Sequence, residues 1–257
     1  MKPVAALIFC AFLVVTACDT VPSTVEDLTF ERQDMVRQSG DGSAESTHVA
    51  SVSLSWPRAS GGRASVADSL NARTDDFIVT QLAGFVPKGD TLAADPETLI
   101  RAFLDEYMRF RKAFPESAQI WEIKITGAAA FVSEKAVTLK FEVFAFTGGA
   151  HPNSEVRYMS FDAESGKMFA LEDVISDVGE LLRRAEPVFR KTREIPEGKD
   201  FADAGFWFED NRFSLPENFG LIESGLVFYW NYYEIGPRVV GPTEITIPYD
   251  EIGDLIR

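Results

Sequence analysis

Cysteine and histidine are almost missing from this chain: 257 residues hold two of each. Cys10 and Cys18 both fall within the first eighteen residues. Everything after them has no thiol for a disulfide, a metal thiolate or a nucleophile. His48 and His151 complete the histidines, and neither an HExxH pair nor a glycine-flanked serine elbow occurs. A histidine metal site or a nucleophile triad has little to be built from, so the expectation is no metal, no cofactor and no enzyme. Basic charge is scarce as well. Lys and Arg number 25 against 40 Asp and Glu, a formal charge of −15 without a basic stripe. Phosphate would be repelled by such a body, which excludes nucleic acid and leaves a basic protein as an allowed partner. Among so many acids, pairs at glycosidase separation arise by number alone, and they are read as solvated surface carboxylates. Neither an internal repeat nor a second long apolar run follows the first eighteen residues.

That first segment is informative. Lys2 precedes an apolar stretch from Val4 to Val15, too short to span a bilayer comfortably, and Val15-Thr16-Ala17-Cys18 ends it on small residues before a cysteine. The pattern resembles a bacterial lipobox, in which the thiol takes a diacylglycerol and becomes the mature N-terminus. Residues 1–17 are therefore expected to be a lipoprotein signal peptide, with Cys18 lipidated and residues 18–27 a polar tether. The partner this implies is a membrane, reached through the lipid on Cys18. The location is the cell envelope, on the periplasmic or extracellular face of a bacterial membrane. Losing residues 1–17 removes Lys2 and no acid, so −15 becomes −16.

The remaining body, with 46% hydrophobic residues and 21 Phe in the whole chain, can bury a sizeable core without cross-links. Two-residue periodicity predicts strands over 28–36 and 49–56, joined by a turn at Gly40–Ser43, the second ended by Pro57 and Gly61-Gly62. A helix is predicted over 64–82. Another begins at Asp95-Pro96, with a stripe of Leu99, Phe103, Tyr107, Phe110 and Phe114 and a stop at Pro115. A long hairpin spans 119–146 about a turn at Ser133–Lys135, followed by a strand at 156–161 and a helix over 178–191. Residues 195–210 read as loop or short helix. Leu226–Tyr233, apolar on both faces, reads as a central strand, Thr243–Ile247 as the last strand and 249–256 as a closing helix. The fold class expected is α/β (α+β): an antiparallel sheet meander packed with helices in a single compact body. Its two halves are 28–115, strand and helix, and 116–257, antiparallel sheet and helix.

Phe144-Ala145-Phe146-Thr147-Gly148-Gly149-Ala150-His151-Pro152-Asn153 and Phe228-Tyr229-Trp230-Asn231-Tyr232-Tyr233-Glu234-Ile235-Gly236-Pro237, with Ile247-Pro248-Tyr249, together resemble domain-of-unknown-function family 3298 with its N-terminal companion family 4163. These occur in the extracellular part of RsiV-type anti-sigma factors and beside the catalytic domain of PdaC-type peptidoglycan deacetylases. The similarity runs from about Val49 to Ile256. It implies an envelope module that binds something near the cell wall, lysozyme in the RsiV-type case. Neither a sigma-binding segment nor a metal-dependent catalytic domain is recognised here, so only the binding part carries over. The expectation is thus a non-catalytic, envelope-anchored binding or sensor module for a lysozyme-like protein or a peptidoglycan fragment. Alternatives are a wall-active hydrolase or deacetylase with paired carboxylates, and a structural envelope protein.

Two segments are candidates for ligand binding. Gly148, Gly149, Ala150, His151, Pro152 and Asn153 make a sharp turn at a strand end, where function tends to collect. Tyr232, Tyr233 and Glu234 place a carboxylate beside phenols at another. Each segment can equally be a hydrogen-bonded scaffold.

Overall fold

Alternation along the first strands is what the architecture is built on. The computed structural model describes residues 27–39, 49–87 and 95–257. The signal peptide at 1–17, Cys18, the tether through residue 26, the turn at Gly40–Ser43 and His48 lie outside them. Strands β1 (Thr29–Gln38), β2 (Ser51–Ser60), β3 (Glu122–Val132), β4 (Ala136–Phe146) and β5 (Asn153–Asp162) form one sheet in that order. All neighbours are antiparallel except β2 and β3, which run parallel from Ser51 opposite Glu122 to Ser55 opposite Thr126. A parallel pair needs a crossover. Helices α1 (Ala64–Ala83) and α2 (Pro96–Ala113) supply it. The pairing of β2 with β3 therefore spans the division at residue 115.

One face of this sheet is apolar. Val52, Leu54, Ile123, Ile125, Leu139 and Phe141 pack under Val66, Leu70, Ile78, Leu99 and Phe103 of the two helices. Asp95 accepts a hydrogen bond from the Thr98 amide at 3.0 Å, capping α2, and that bond holds its carboxyl below the usual range. The stripe of α2 leaves the core at its end: Phe110 stacks on Trp121 at 5.3 Å, but Phe114 is exposed. Pro57 lies inside β2 and does not end it. Pairing to β3 stops at Ser55, so beyond it β2 is bonded on one side only, where a proline is tolerated.

A second layer carries β6 (Phe219–Ile222), β7 (Gly225–Trp230) and β8 (Thr243–Pro248), antiparallel with β7 in the centre, together with α3 (Leu171–Val174), α4 (Val178–Thr192) and α5 (Tyr249–Ile252). Leu181, Ala185 and Phe189 of α4 share one core with Leu226, Phe228, Trp230, Ile245 and Ile247. The segment read as loop or short helix, 195–210, contains two 3-10 turns, Ala202–Ala204 and Glu209–Asn211. Its substance is aromatic. Phe201, Phe206, Phe208 and Phe213 ring Phe189 with centroids 6.0, 5.2, 5.4 and 5.1 Å away, and Trp230 closes the cluster at 5.2 Å.

The two layers meet along β5. As the last strand of its sheet, β5 has a free edge that burial would leave unpaired. Asn218 resolves this: its Oδ1 accepts from the Tyr158 amide at 2.9 Å and its Nδ2 donates to the Val156 carbonyl at 2.7 Å. Asn231 Oδ1 accepts from the Val156 amide at 2.7 Å, and Ser160 Oγ accepts from the Leu221 amide at 3.1 Å. Side chains thus stand in for a neighbouring strand along Val156–Tyr158, and the backbone of Lys167–Phe169 pairs with the edge at Ser160–Asp162. Among the described residues no helix is long and apolar enough to cross a membrane.

Candidate functional site

β4 ends at Phe146, and the chain must reverse to enter β5 at Asn153. Gly148 makes the reversal with φ of +84°, in the left-handed region that favours glycine. The space its Cβ would need is taken by the Gln119 side chain, whose Nε2 donates to the Gly148 carbonyl at 2.8 Å. The second segment turns after β7. Glu234 N donates to the Asn231 carbonyl at 3.3 Å, and Tyr233 adopts φ of +67°, an unusual conformation for a residue with a Cβ.

Arg238 joins the two turns. Its Nη1 donates to the Pro152 carbonyl at 3.1 Å, and its guanidinium lies 4.6 Å from the Tyr232 ring centroid. Beside this joint opens a cavity of about 420 Å³, whose lining includes Asn153, Asn231, Tyr232, Tyr233, Glu234 and Arg238. The structure therefore brings Asn153 and the Tyr232–Glu234 segment to one cavity. Gly148, Gly149, Ala150, His151 and Pro152 do not line it. Pro152 reaches it only through Arg238, while Gly149, Ala150 and His151 stand exposed at the loop tip.

Asn231 and Arg238 carry this arrangement, yet neither stands out in the sequence. An asparagine before two tyrosines and an arginine after Gly236-Pro237 have no local pattern, since their partners lie on β5 and in the 148–153 turn. The same holds for a polar knot on the other face of β5. Tyr158 Oη donates to Glu244 Oε2 at 3.1 Å, with Lys140 Nζ 5.7 Å from the phenol ring centroid. Burial first, and Glu244 second, push the Tyr158 phenol well above its ordinary pKa; Tyr229 is raised for the same reasons. Such a phenol donates a hydrogen bond at neutral pH and does not serve as a base. Among the described residues no group of three His, Cys, Asp or Glu side chains could hold a metal ion.

Two family matches divide along these walls. Residues 171–250 match DUF3298, a protein family of unknown function. Residues 43–154 match the family described as deacetylase PdaC. The Gly148–Asn153 turn falls in the PdaC range and the Asn231–Arg238 turn in the DUF3298 range, so the cavity is walled by both. A crystal structure of a DUF3298 family member from Bacteroides fragilis NCTC 9343 is similar, with 18% identity, a TM-score of 0.64, and coverage of 90% of this chain and 94% of that one. A DUF3298 family protein from Pseudomonas aeruginosa PAO1 matches at 16% identity and a TM-score of 0.61, over 91% and 96% of the two chains. At these identities the likeness establishes the fold. No curated protein matches the sequence.

Proposed function

We propose that this chain is a non-catalytic binding module of the bacterial cell envelope, tethered to the membrane by a lipid on Cys18, whose ligand is a lysozyme-like protein or a peptidoglycan fragment. The observation that supports it is the mouth of the 420 Å³ cavity, built from two turns distant in sequence and locked by one arginine. Tyr233 is held there in a left-handed conformation and is 56% exposed. Such strain persists where surrounding structure over-determines it, and it collects at binding sites. Trp207 is 58% exposed, and its amide donates to the Ile235 carbonyl at 2.9 Å, so a second aromatic stands near the same turn. Exposed rings backed by a rigid frame are the usual anchors of a partner surface.

Charge favours a basic partner. A mature charge of −16 would speed encounter with one, whereas retention at physiological salt has to come from specific contacts. Titration of the purified chain with lysozyme and with muropeptides at that salt tests the reading. Binding of either, weakened in Tyr233→Ala and in His151→Ala at unchanged melting temperature, is the expected result. Release of acetate or muropeptides from peptidoglycan, abolished by a single Asp or Glu substitution, would overturn the non-catalytic assignment. Fatty-acid labelling that is lost in Cys18→Ser tests the anchor; equal labelling of both chains, or of neither, contradicts it.

A further inference from the structure

Arg157 is half-buried on β5, and among the described residues no carboxylate or carbonyl pairs with its guanidinium. It stands opposite Phe141 in the β4–β5 register, on the face that α1 and α2 cover. Its neighbour Glu155 is already engaged, accepting from Gln81 Nε2 at 3.0 Å. A half-buried guanidinium with no bonded acceptor has unmet donors, so its position invites an acceptor from a ligand.

Three cavities adjoin at Arg157. The first is the 420 Å³ cavity behind the two turns. A second, of about 320 Å³, shares Arg157 and Glu234 with the first and continues past Trp230. A third, of about 660 Å³, shares Arg157 and Ser214–Glu217 with the second and is walled by Leu171, Leu182, Leu215 and Phe219. The result is a groove that is polar at one end, cationic in the middle and apolar at the other.

Arg157 is not alone in it. Glu234 lines the first two cavities, Glu217 the last two and Glu172 the third. A simple anion would be repelled by those carboxylates, so the ligand must carry N–H donors or an ammonium beside its carboxylate. It must also offer an apolar group to the Leu171–Leu215 end. A neutral glycan offers donors but no carboxylate for Arg157; a peptide offers donors, a carboxylate and apolar side chains. We propose that this groove binds an extended peptide with its free carboxylate on Arg157, its N–H groups toward Glu234 and Glu217, and an apolar side chain in the third cavity. The proposal rests on the binding-module reading and names the ligand class for it.

The test is calorimetric titration of the full chain with a muramyl peptide bearing a free C-terminal carboxylate and with its C-terminal carboxamide, alongside lysozyme. Because no bond holds the Arg157 guanidinium among the described residues, Arg157→Gln should leave the melting temperature unchanged. The expected result is at least about a tenfold preference of the wild type for the acid over the amide, lost in Arg157→Gln. Arg157→Lys should recover part of it, since an ammonium supplies the charge without the two-pronged donor geometry. Equal binding of acid and amide by the wild type, or a preference that survives in Arg157→Gln, overturns the assignment. Lysozyme binding without either muramyl peptide overturns it too while leaving the binding-module reading in place. No binding of any probe removes both.

Discussion

Asn218 shows how much of this protein rests on single polar side chains. It is buried, and its amide bonds the Tyr158 amide and the Val156 carbonyl of a strand edge that has no neighbouring strand. Removing it leaves the Tyr158 amide without its acceptor in the interior, while the Val156 carbonyl keeps a bond from Asn231 Nδ2 at 3.1 Å, so Asn218→Ala should lose about 1–3 kcal/mol in a urea unfolding curve. A loss within a few tenths of Asn→Ala at an exposed site would contradict that role. Nothing in the sequence marks Asn218. Its partners lie about sixty positions away, and single-sequence patterns carry no information about which strand becomes an edge. Gly148 is the opposite case: a glycine pair before His-Pro is legible as a sharp turn, and the turn is there. The role of Gln119 in filling the space beside it is not legible.

Elements with strong local signals are the ones the sequence discloses. The α2 cap at Asp95, the β3–β4 hairpin and the helix α4 all follow from residues within one or two turns of each other. β6 escapes because four residues, one of them Gly220, give too short an alternation to recognise. The parallel pairing of β2 with β3 escapes because register across a two-helix crossover is a tertiary choice. Phe201, Phe206, Phe208 and Phe213 lack any period, since they are held by two 3-10 turns. Their common target is Phe189, fully buried on α4. Phe189→Ala should therefore cost about 3–5 kcal/mol and loosen the 201–213 strap, visible as faster proteolysis there. Stability loss without strap cleavage would mean that the strap is held by something other than this ring. In the first layer, Gly127 faces the ring of Phe141, which occupies the place a Cβ would take. Gly127→Ala should cost about 1–3 kcal/mol by overpacking, read as a lower midpoint at unchanged urea slope.

For the whole molecule, the titrating groups set two pH limits. Tyr158, Tyr229 and Tyr249 all have phenols raised by burial, with Glu244 adding to the first two. Above the ordinary phenol pKa of about 10 the unfolded chain releases these protons while the folded chain keeps them. The folded state then binds more protons, so stability is intact below about pH 10 and falls as pH rises further. Absorbance titration should show these three phenols ionising late, together with unfolding, with the late phase reduced in Tyr158→Phe. Reversible ionisation of Tyr158, Tyr229 and Tyr249 themselves near pH 10 in the folded protein would contradict it. At the acid end, hydrogen bonds from Arg184 lower Glu180 and Asp254, and one from Lys167 lowers Asp173. Their contribution is present above the usual carboxylate range and fades as pH falls through the lower native values.

The proposed binding role makes the two turns joined by Arg238 one ligand surface. Backbone amide shift mapping by NMR, with muropeptide and lysozyme added in turn at physiological salt, addresses it most directly. The largest shifts with at least one of them are expected at Gly148–Asn153 and Asn231–Arg238 together. Shifts confined to other faces, or none with either ligand, would contradict it.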